Sequence, residues 1–561
     1  MLSTYSWPTY AARRAPELGA AEIRRVPVVV VGAGPVGLCA AIDLAQRGQP
    51  VVLIDEDQTV SIGSRAVCHA KRTLEIFDRL GIGDAVVERG VTWNVGRTFH
   101  GEQEVFSFNL LPEAGHRRPG MVNLQQYHLE ERLVERAAQL PLIDLRWKHK
   151  LSTVQPCDDG VVLDIDTGEG RYALHAGWLV VADGARSPVR RALGLDVEGQ
   201  VFQDRFLIAD VLLDGEPFPA DQAERRFWFE PKFHHGGSAD TSSTAPGCAS
   251  ALMHREADNV WRLDFQLGWD ADPDAEKQPQ RVSPRIRSAL DSQGFAHIGF
   301  TLEWVSVYTF QCRRMAKFRH GRLLFAGDAA HQVSPFGARG GNSGVQDADN
   351  LGWKLDLVLR GQAGEALLDS YDHERGFAAD ENIRESTRST DFMTPKSRAS
   401  KRLRQAVLGL AAEHAFARAL INSGRLSVPT WLLDSPLNTP DIDSFDGWMG
   451  PGAPADDAPL EGGRWLLGAL PAGFTLLLFA AKPDATQCAA ADSLAQGQPP
   501  VTTLVLPPAG PAAERYDARD GTAYLLRPDQ HVAARWRTLS ADAVRPALQR
   551  ATARQLKPCP T

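Results

Sequence analysis

The feature that most constrains the fold is a strand–turn–helix–strand unit near the start of the chain. Residues 26–31 read Val-Pro-Val-Val-Val-Val, a β-branched run typical of a strand buried on both faces. The turn Gly32-Ala-Gly-Pro-Val-Gly37 follows, and residues 38–46 have a helical pattern. A second apolar run, residues 50–54, ends at Asp55. This order of elements predicts a nucleotide-binding βαβ unit.

Each glycine of the turn has its own task in such a unit. Gly32 permits the tight turn, Gly34 lets the backbone approach a pyrophosphate, and Gly37 lets the helix pack on the strand. Asp55 follows at close to the ~20 residues expected for a ribose-binding acid. The unit alone leaves the nucleotide open between FAD and NAD. The residues that it assigns to the nucleotide are Gly32, Gly34, Pro35, Val36, Gly37, Asp55 and Glu56.

A second glycine-rich stretch lies far along the chain, at residues 319–354. Residues 323–325 predict a buried strand, and Gly327-Asp328 follows it. A carboxylate at the carboxyl end of a strand can bind the hydroxyls of a sugar or polyol. The later glycines let backbone N–H groups approach an anion or an electron-rich ring. A helix from about Asn342 points its positive end at the same place.

Gly327-Asp328, Pro335-Phe-Gly and Gly340-Gly-Asn342 together resemble the second flavin motif of the single-component FAD-dependent aromatic hydroxylases. These are class A flavoprotein monooxygenases of the phenol hydroxylase and 3-(3-hydroxyphenyl)propionate hydroxylase type. The resemblance implies that the aspartate binds the ribityl chain and that the helix start faces the pyrimidine end of the isoalloxazine. It also favours FAD as the nucleotide of the first unit. The residues assigned to FAD here are Gly327, Asp328, Pro335, Gly340, Gly341 and Asn342.

Three further positions match motifs of this family. The resemblance implies that Arg65 lies along the FAD and that Gln126 hydrogen-bonds the ribityl or pyrophosphate region. It implies that Asp183 serves both the FAD pyrophosphate and the nicotinamide cofactor. The alternatives are a surface charge for Arg65, a polar helix start for Gln126 and an ordinary turn at Asp183. The order of the motifs along the chain favours the cofactor roles.

The predicted fold class is α/β: a Rossmann-like FAD-binding domain with an inserted antiparallel β-sheet substrate domain and a C-terminal thioredoxin-like α/β domain. The thioredoxin-like assignment is implied by the resemblance, together with apolar runs that predict four short strands and a final helix in the tail. The predicted units are an N-terminal arm (1–25), the first segment of the FAD-binding domain (26–199), the substrate-binding β-sheet domain (200–318), the second segment of the FAD-binding domain (319–390), a helical region and linker (391–462) and the thioredoxin-like domain (463–561).

Residues 200–318 are rich in aromatics and alternating segments, which predicts an antiparallel sheet that can cover a cavity over the flavin. The candidates to line it are Trp228, Phe229, Phe233, His234, His235, Gln266, Tyr308 and Phe310. For each aromatic taken singly, the alternative of an ordinary residue of the sheet core is favoured. Hydroxylation of a phenol needs a base near the ring. The catalytic candidates are His69, Tyr308, His234 and His235. The aspartate of phenol hydroxylases does not carry over, because Val67 stands at its position.

Composition excludes several classes of protein. The formal net charge is −8 and there is no basic run, so nothing indicates a nucleic-acid partner. Seven scattered cysteines without C-x-x-C spacing predict reduced thiols, with neither a metal site nor a disulfide framework. No apolar run approaches the ~20 residues of a spanning helix. We therefore expect a cytoplasmic protein without membrane or metal, with a homodimer as a possible assembly.

The resemblance implies an FAD- and NAD(P)H-dependent aromatic monooxygenase of aromatic compound catabolism. NAD(P)H reduces the flavin, O2 adds at C4a, and the hydroperoxide transfers an oxygen atom to a small phenolic or related aromatic substrate. Two alternatives stay open. One is another flavin oxygenation of the epoxidase or Baeyer–Villiger type, because the fold and the cofactor site do not determine the substrate. The other is a non-catalytic flavoprotein sensor.

Overall fold

A computed structural model describes residues 2–64, 66–218, 223–231, 250–421 and 426–554 of the chain. Within these ranges the fold is mixed α/β with several sheets. The strands in chain order are β1 (Arg24–Val31), β2 (Val51–Asp55), β3 (Cys68–Ala70), β4 (Val91–Trp93), β5 (Val95–His100), β6 (Gln103–Asn109), β7 (Met121–Asn123), β8 (Ile143–Trp147), β9 (Lys150–Cys157), β10 (Gly160–Thr167), β11 (Gly170–Val181), β12 (Glu198–Leu213), β13 (Glu224–Phe229), β14 (Ser250–Arg255), β15 (Val260–Leu267), β16 (Phe300–Arg314), β17 (Arg319–His320), β18 (Leu323–Phe325), β19 (His331–Gln332), β20 (Phe474–Phe479), β21 (Val501–Leu506), β22 (Ala523–Leu526) and β23 (Val532–Trp536).

The helices in chain order are α1 (Pro35–Gln46), α2 (Lys71–Leu80), α3 (Gly83–Arg89), α4 (Gln126–Ala138), α5 (Pro188–Ala192), α6 (Pro273–Glu276), α7 (Pro279–Ser292), α8 (Gly340–Leu359), α9 (Ala366–Met393), α10 (Arg398–Ala411), α11 (Ala415–Leu420), α12 (Leu466–Ala469), α13 (Ala485–Ala495), α14 (Pro511–Arg515) and α15 (Ala541–Ala551). Among the described residues, no helix combines the length and the apolar composition that crossing a membrane requires.

The first sheet has the order β17-β18-β11-β1-β2-β8, and β10 and β9 extend from β11. Strands β18, β11, β1, β2 and β8 pair in parallel. The apolar runs of β1 and β11 are buried because helices cover the sheet, and α1 and α8 contribute to the same core. The predicted strand–turn–helix–strand unit is therefore present as β1, α1 and β2.

The second sheet has the order β19-β16-β12-β15-β14-β13-β5-β6. Its pairs are antiparallel except β13 with β5. Alternation along the strands gives it two faces. The outer face packs its apolar residues on α7. The inner face packs its apolar residues on α10 and on the loop that precedes α8.

Two details of the second sheet differ from the sequence prediction. Strands β5 and β6 precede residue 200, yet they join this sheet, because β5 pairs with β13 over a long separation along the chain. Trp228 was a candidate to line the cavity, and the structure instead places it in the core of the sheet, the alternative that the sequence favoured for each aromatic taken singly. Its side chain packs in the outer-face core, stacked on Phe99 at 5.4 Å. Phe229, one residue on, points to the inner face as predicted.

A four-stranded sheet of order β21-β20-β22-β23 forms near the C-terminal end. Strand β20 pairs in parallel with β21 and antiparallel with β22. All four strands and the final helix were predicted, since each apolar run is bounded by turn residues. This sheet shares a core with α8, in which Trp353 lies edge-on to Phe474 at 5.7 Å. A small sheet, β3-β7-β4, completes the structure.

Candidate active site

Three strand ends meet at one edge of the first sheet. In the register of β1, β11 and β18, Val31 lies beside Val181, and Val181 lies beside Phe325. Because the strands run in parallel, the turns that follow them emerge at the same edge. These turns carry Gly32, Asp183 and Gly327-Asp328. The fold thus brings together three motifs that lie far apart along the chain.

The glycines of the first turn divide into packed and open positions. Gly32 has φ +99°, and a Cβ there would lie 2.4 Å from the Ala182 carbonyl oxygen. A Cβ on Gly37 would lie 1.9 Å from the Gly32 carbonyl oxygen. Gly34 has no atom of the described residues within 4 Å of the corresponding position. The space at Gly34 therefore fits the close approach of a ligand such as a pyrophosphate.

Asp55 supports the same turn from the end of β2. Its carboxylate accepts hydrogen bonds from the Ala33 N–H at 2.6 Å and the Asp57 N–H at 2.8 Å. Burial raises the pKa of Asp55, although both amides act in the opposite direction. The neighbouring Glu56 is exposed and pairs with Lys150 at 2.9 Å. A ribose contact by Asp55 or Glu56 stays a prediction.

The first and last motifs contact each other through Val36. A Cβ on Gly327 would lie 2.9 Å from Val36 Cγ2, and one on Gly344 of α8 would lie 2.7 Å from it. Gly327 also has φ +61°, a conformation that favours glycine. Asp328 is exposed although Gly327 and Ala329 on either side are buried. Its carboxylate therefore lies at the surface of this edge, where a ligand can reach it.

Helix α8 begins at this edge without a side-chain cap among the described residues. The N–H groups of its first turn have no partner within the helix. Asn342 fastens this turn to β3: its Oδ1 accepts from the Ala70 N–H at 2.9 Å, and its Nδ2 donates to the Cys68 carbonyl at 2.8 Å. The start of a 20-residue helix thus offers Gly340 and Gly341 N–H groups and a positive dipole end to a ligand.

The remaining predicted FAD residues have mixed surroundings. Gln126 accepts from the Ala66 N–H at 3.1 Å and donates to Glu130 at 2.8 Å, so its amide positions the loop before β3. Pro335 is exposed, and its carbonyl accepts from the Ala338 N–H at 3.1 Å. Arg65 lies outside the described residues. FAD contacts of these three residues stay predictions.

Asp183 has one satisfied and one unsatisfied oxygen. Its Oδ2 accepts from the Val189 N–H at 3.1 Å. Its Oδ1 is buried without a hydrogen-bond partner among the described residues. Burial raises the pKa of this carboxyl, and the bonds from Ser187 and Val189 partly oppose that. A buried acceptor without a partner is costly, so it indicates a ligand group at this position.

Of the catalytic candidates the structure describes His69 and Tyr308, and these two have different surroundings. His69 is buried against Phe77, its Nε2 is 3.1 Å from the Leu124 carbonyl oxygen, and burial lowers its pKa to about 4. Tyr308 is half-buried on the inner face of the second sheet, opposite Phe206 of β12. His234 and His235, like Phe233, lie outside the described residues. A role as base stays a prediction for all four candidates.

A cluster of aromatic rings connects the inner face of the second sheet with the loop that leads into α8. Phe206 lies 4.9 Å from Phe310 and 4.8 Å from Phe336, between ring centroids. Phe336 belongs to the Pro335-Phe-Gly loop that leads into α8. Phe229, Phe310, Tyr308 and Met393 belong to the same cluster. An aromatic surface therefore adjoins the proposed flavin motif, and it suits a ring-shaped substrate.

The charged residues of this inner face were not among the residues predicted from the sequence. The side chains of this face form rows that run across neighbouring strands. The row next to Arg225 contains His254, Arg262 and Asp210. The following row contains Phe227, Leu252, Asp264 and Ile208. The third row carries Phe229, Ser250, Gln266, Phe206 and Tyr308. The available signal was β15, where Arg262, Asp264 and Gln266 alternate with buried apolar residues.

Arg262 ties this face to the loop before β3. Its guanidinium bonds both oxygens of Asp210, at 2.8 and 2.9 Å, and donates to the Ser64 carbonyl at 2.9 Å. Cys68 Sγ lies 4.0 Å from His254 Nδ1. Burial raises the pKa of the Cys68 thiol to about 11, so the thiol is protonated at neutral pH. The second sheet thus lies directly against the loop before β3 and against β3 itself.

Comparisons with known proteins agree with this geometry. The family model described as FAD binding domain matches residues 25–386. The 3-(3-hydroxy-phenyl)propionate/3-hydroxycinnamic acid hydroxylase of Mycolicibacterium smegmatis is 28% identical over 383 residues, 68% of this chain. The matched region spans 64% of that relative's length. The para-nitrophenol 4-monooxygenase of Pseudomonas sp. (strain WBC-3) is 29% identical over 62% of this chain and 82% of that protein.

A solved structure extends the similarity over nearly the whole chain. The flavin-dependent monooxygenase PieE, in complex with FAD and substrate, has a TM-score of 0.76 at 25% identity. The similarity covers 94% of this chain and 98% of that one.

Proposed function

The chain belongs to the family of proteins with this FAD binding domain, and from that premise we propose that it is an FAD- and NAD(P)H-dependent monooxygenase. Its proposed reaction is the hydroxylation of a phenolic or related aromatic substrate with O2. The observation that carries the proposal is the contact between Phe336 of the flavin-motif loop and the aromatic inner face of the second sheet. It joins a cofactor edge to a surface suited to an aromatic ring.

The residues present fit FAD. Open space at Gly34, an unsatisfied oxygen on Asp183 and an uncapped start of α8 lie at or beside one sheet edge. When bound, FAD takes electrons from NAD(P)H and activates O2 for transfer of one oxygen atom. The residues that would bind it are Gly32, Gly34, Pro35, Val36, Gly37, Asp55, Glu56, Arg65, Gln126, Asp183, Gly327, Asp328, Pro335, Gly340, Gly341 and Asn342.

The chain's own groups would support this chemistry in two ways. The N–H groups and the positive end of α8 would stabilise negative charge on the cofactor. The cluster around Phe206, Phe310 and Phe336 would bind the ring and exclude water from the site. Both effects need a rigid frame, which the bonds of Asn342 to β3 supply.

We also propose the domain arrangement expected from the sequence. The parallel order of β18, β11, β1 and β2 supports a Rossmann-like FAD-binding domain made of residues 26–199 and 319–390. The second sheet would be the substrate domain, with β5 and β6 added to residues 200–318. The mixed pairing of β20 to β23, with α13 and α15 beside it, supports a thioredoxin-like domain at 463–561.

The test is oxygen uptake and NAD(P)H oxidation by the FAD-loaded protein across a panel of hydroxylated aromatics, with peroxide assayed in parallel. We expect oxidation that a phenol stimulates, one added hydroxyl in the product and little peroxide. Cyclohexanol is the matched control, since it has a similar size and a hydroxyl but no aromatic ring. Stimulation that yields only peroxide, or none with any phenol, would contradict the proposal.

A further inference from the structure

We propose that Arg225 and Asp264 form the subsite for the substrate's phenolic hydroxyl, in which Asp264 accepts the proton and Arg225 stabilises the phenolate. The inference rests on the proposed function and names the groups that activate its substrate. Both side chains lie on the inner face of the second sheet, on β13 and β15, with β14 between the two strands. Neither residue was among the catalytic candidates of the sequence analysis.

Each of the two side chains has a buried polar atom without a hydrogen-bond partner among the described residues. Asp264 is half-buried, and its Oδ1 is buried without a hydrogen-bond partner in the described regions of the chain. Arg225 is half-buried as well, and its Nε is equally unsatisfied. No described carboxylate forms an ion pair with Arg225. Burying charged groups without partners is unfavourable, so such groups persist where a ligand completes them.

The neighbouring charges show that partners are available on this face. Arg262, two residues before Asp264, bonds Asp210 twice, pairs with Glu256 at 3.1 Å and donates to the Ser64 carbonyl. Arg226, next to Arg225 but on the outer face, pairs with Glu224 at 2.6 Å. Arg262 and Arg226 thus form ion pairs, whereas Arg225 and Asp264 form none with a described residue.

The pair of unsatisfied groups selects the kind of ligand. Arg225 and Asp264 are close enough that each affects the other's pKa, yet they form no ion pair. A carboxylate ligand would satisfy Arg225 and be repelled by Asp264, and an ammonium ligand would do the reverse. A hydroxyl satisfies both, because its O–H donates to Asp264 while its oxygen accepts from Arg225.

The surroundings suit the ring that carries this hydroxyl. Phe227 lies on the same face of β13 as Arg225, and it belongs to the cluster of Phe206 and Phe310. A second apolar group, with Cys68, Phe108, Ala223 and Ala338 at its edge, lies on the other side of Arg225. Polar groups between two apolar walls are the arrangement expected for a phenol site.

The proton transfer is balanced without any further reactant. The phenolic proton moves to a carboxylate oxygen of Asp264, and the O–H bonding pair stays on the phenolic oxygen. The resulting phenolate is more electron-rich, and Arg225 remains a guanidinium beside it. Burial raises the pKa of Asp264 to about 7; Arg262 and Arg225 lower it, and Asp210 and Glu256 raise it. A base that titrates near neutral pH is suited to this transfer.

The first experiment uses 4-nitrophenol as a coloured probe of ionisation. Its phenolate absorbance, when bound to the FAD-loaded protein, is titrated against pH. We expect the bound probe to ionise at lower pH than the free probe, and Arg225→Gln to raise that midpoint by about one pH unit. Arg226→Gln is the matched control and should titrate like the wild type, because its side chain points to the outer face.

The second experiment separates proton acceptance from a structural role. We expect Asp264→Asn to lower kcat/KM by about 10²–10³-fold for weakly acidic phenols and to abolish the acidic limb of the pH profile near pH 7. The loss in kcat/KM should become small for phenols that are already ionised at the assay pH, because these substrates need no proton acceptor. Asp270→Asn, exposed just beyond the end of β15, should leave both readouts unchanged.

The outcomes distinguish this subsite from the proposed function. Unchanged probe midpoints and unchanged pH profiles in both variants, with hydroxylation intact in the wild type, would overturn the subsite alone. A wild type that hydroxylates no phenol but shows an Arg225-dependent ionisation of the probe would overturn the function and support the subsite. FAD content and the thermal midpoint of the ligand-free variants, expected to be no lower than wild type, check the fold.

Discussion

Two groups of buried charges in this protein differ in how completely they are paired. One joins α8, α9 and the C-terminal sheet: Lys354 bonds Glu374 at 2.6 Å, and Arg527 bonds Glu374 and Asp529, each at 2.5 Å. All four side chains are fully buried. The other group is Arg225 and Asp264, which are half-buried and have no such partner among the described residues.

The pKa shifts of the two groups follow from this difference. Burial alone would raise the pKa of Glu374, but Arg527 and Lys354 outweigh it and bring the pKa well below its usual range. At Asp264 burial outweighs the charges of Arg262 and Arg225 and raises the pKa to about 7. A buried charge with full pairing therefore marks a structural joint, and one without pairing marks a candidate ligand site.

Removing the central acid of the paired group is the strongest way to test this contrast. Glu374→Gln leaves Lys354 and Arg527 buried without their shared partner. We expect a loss of about 3–5 kcal/mol in the free energy of unfolding, measured by urea or thermal denaturation. The control is Glu365→Gln, which removes an exposed partner of Arg319 and should cost less than about 1 kcal/mol. Equal losses in the two variants would contradict the contrast.

Removing the carboxylate of Asp264 should raise the free energy of unfolding instead of lowering it. The pKa of Asp264 is about 7 in the folded protein against an ordinary 3.8. Between these values the unfolded chain releases the proton and the folded protein retains it, so stability falls as pH rises through this window. Without ligand, Asp264→Asn should thus be more stable than wild type by about 2 kcal/mol at pH 8.

Denaturation of the ligand-free protein at two pH values checks this prediction. The difference between Asp264→Asn and wild type should shrink as pH falls towards the ordinary pKa of 3.8 and vanish well below it, where both states hold the proton. A variant that is less stable than wild type at pH 8 would mean that Asp264 is a paired structural residue.

The smallest expected effect concerns two glycines, of which Gly34 faces open space and Gly37 is packed against backbone. Gly34→Ala adds a Cβ into open space at an ordinary negative φ of −76°, so the stability of the FAD-free protein should not fall. FAD affinity should fall at least tenfold, about 1.4 kcal/mol, because the methyl group takes the ligand's space. Fluorescence titration with FAD measures this, and unchanged affinity would contradict a cofactor at Gly34. Gly37→Ala, with backbone at 1.9 Å, should instead destabilise the protein itself.

The regions of the fold that the sequence predicted are those set by local patterns. Strands β20 and β21 were predicted with the bounds that the structure has, since each is a short apolar run between turn residues. The unit β1, α1 and β2 needs only its own glycines and apolar runs. The addition of β5 to the second sheet was not predicted, because Val95 meets Glu224 only through the tertiary fold.

The site, like the fold, could be predicted only where a local sequence pattern determines it. Gly32, Gly34 and Gly37 have a recognisable spacing, so their position in a turn at the edge of the first sheet could be anticipated. Whether a charge is paired depends on residues distant in the chain: Arg262 bonds Asp210 and Ser64, whereas Arg225 forms no ion pair with a described acid. The alternation of β15 identifies which residues share a face, but it does not distinguish a satisfied arginine from an unsatisfied aspartate.

The shared bonds of Glu374 also bear on how this protein can be shortened for engineering. Arg527 belongs to the last hundred residues, whereas Glu374 and Lys354 belong to helices beside the cofactor edge. A version truncated before β20 would lose Arg527 and Asp529 together and uncover Trp353, on which Phe474 packs. Such a minimal enzyme should therefore exchange Glu374 and Lys354 jointly for apolar residues of similar volume, so that no stranded charge remains on the new surface.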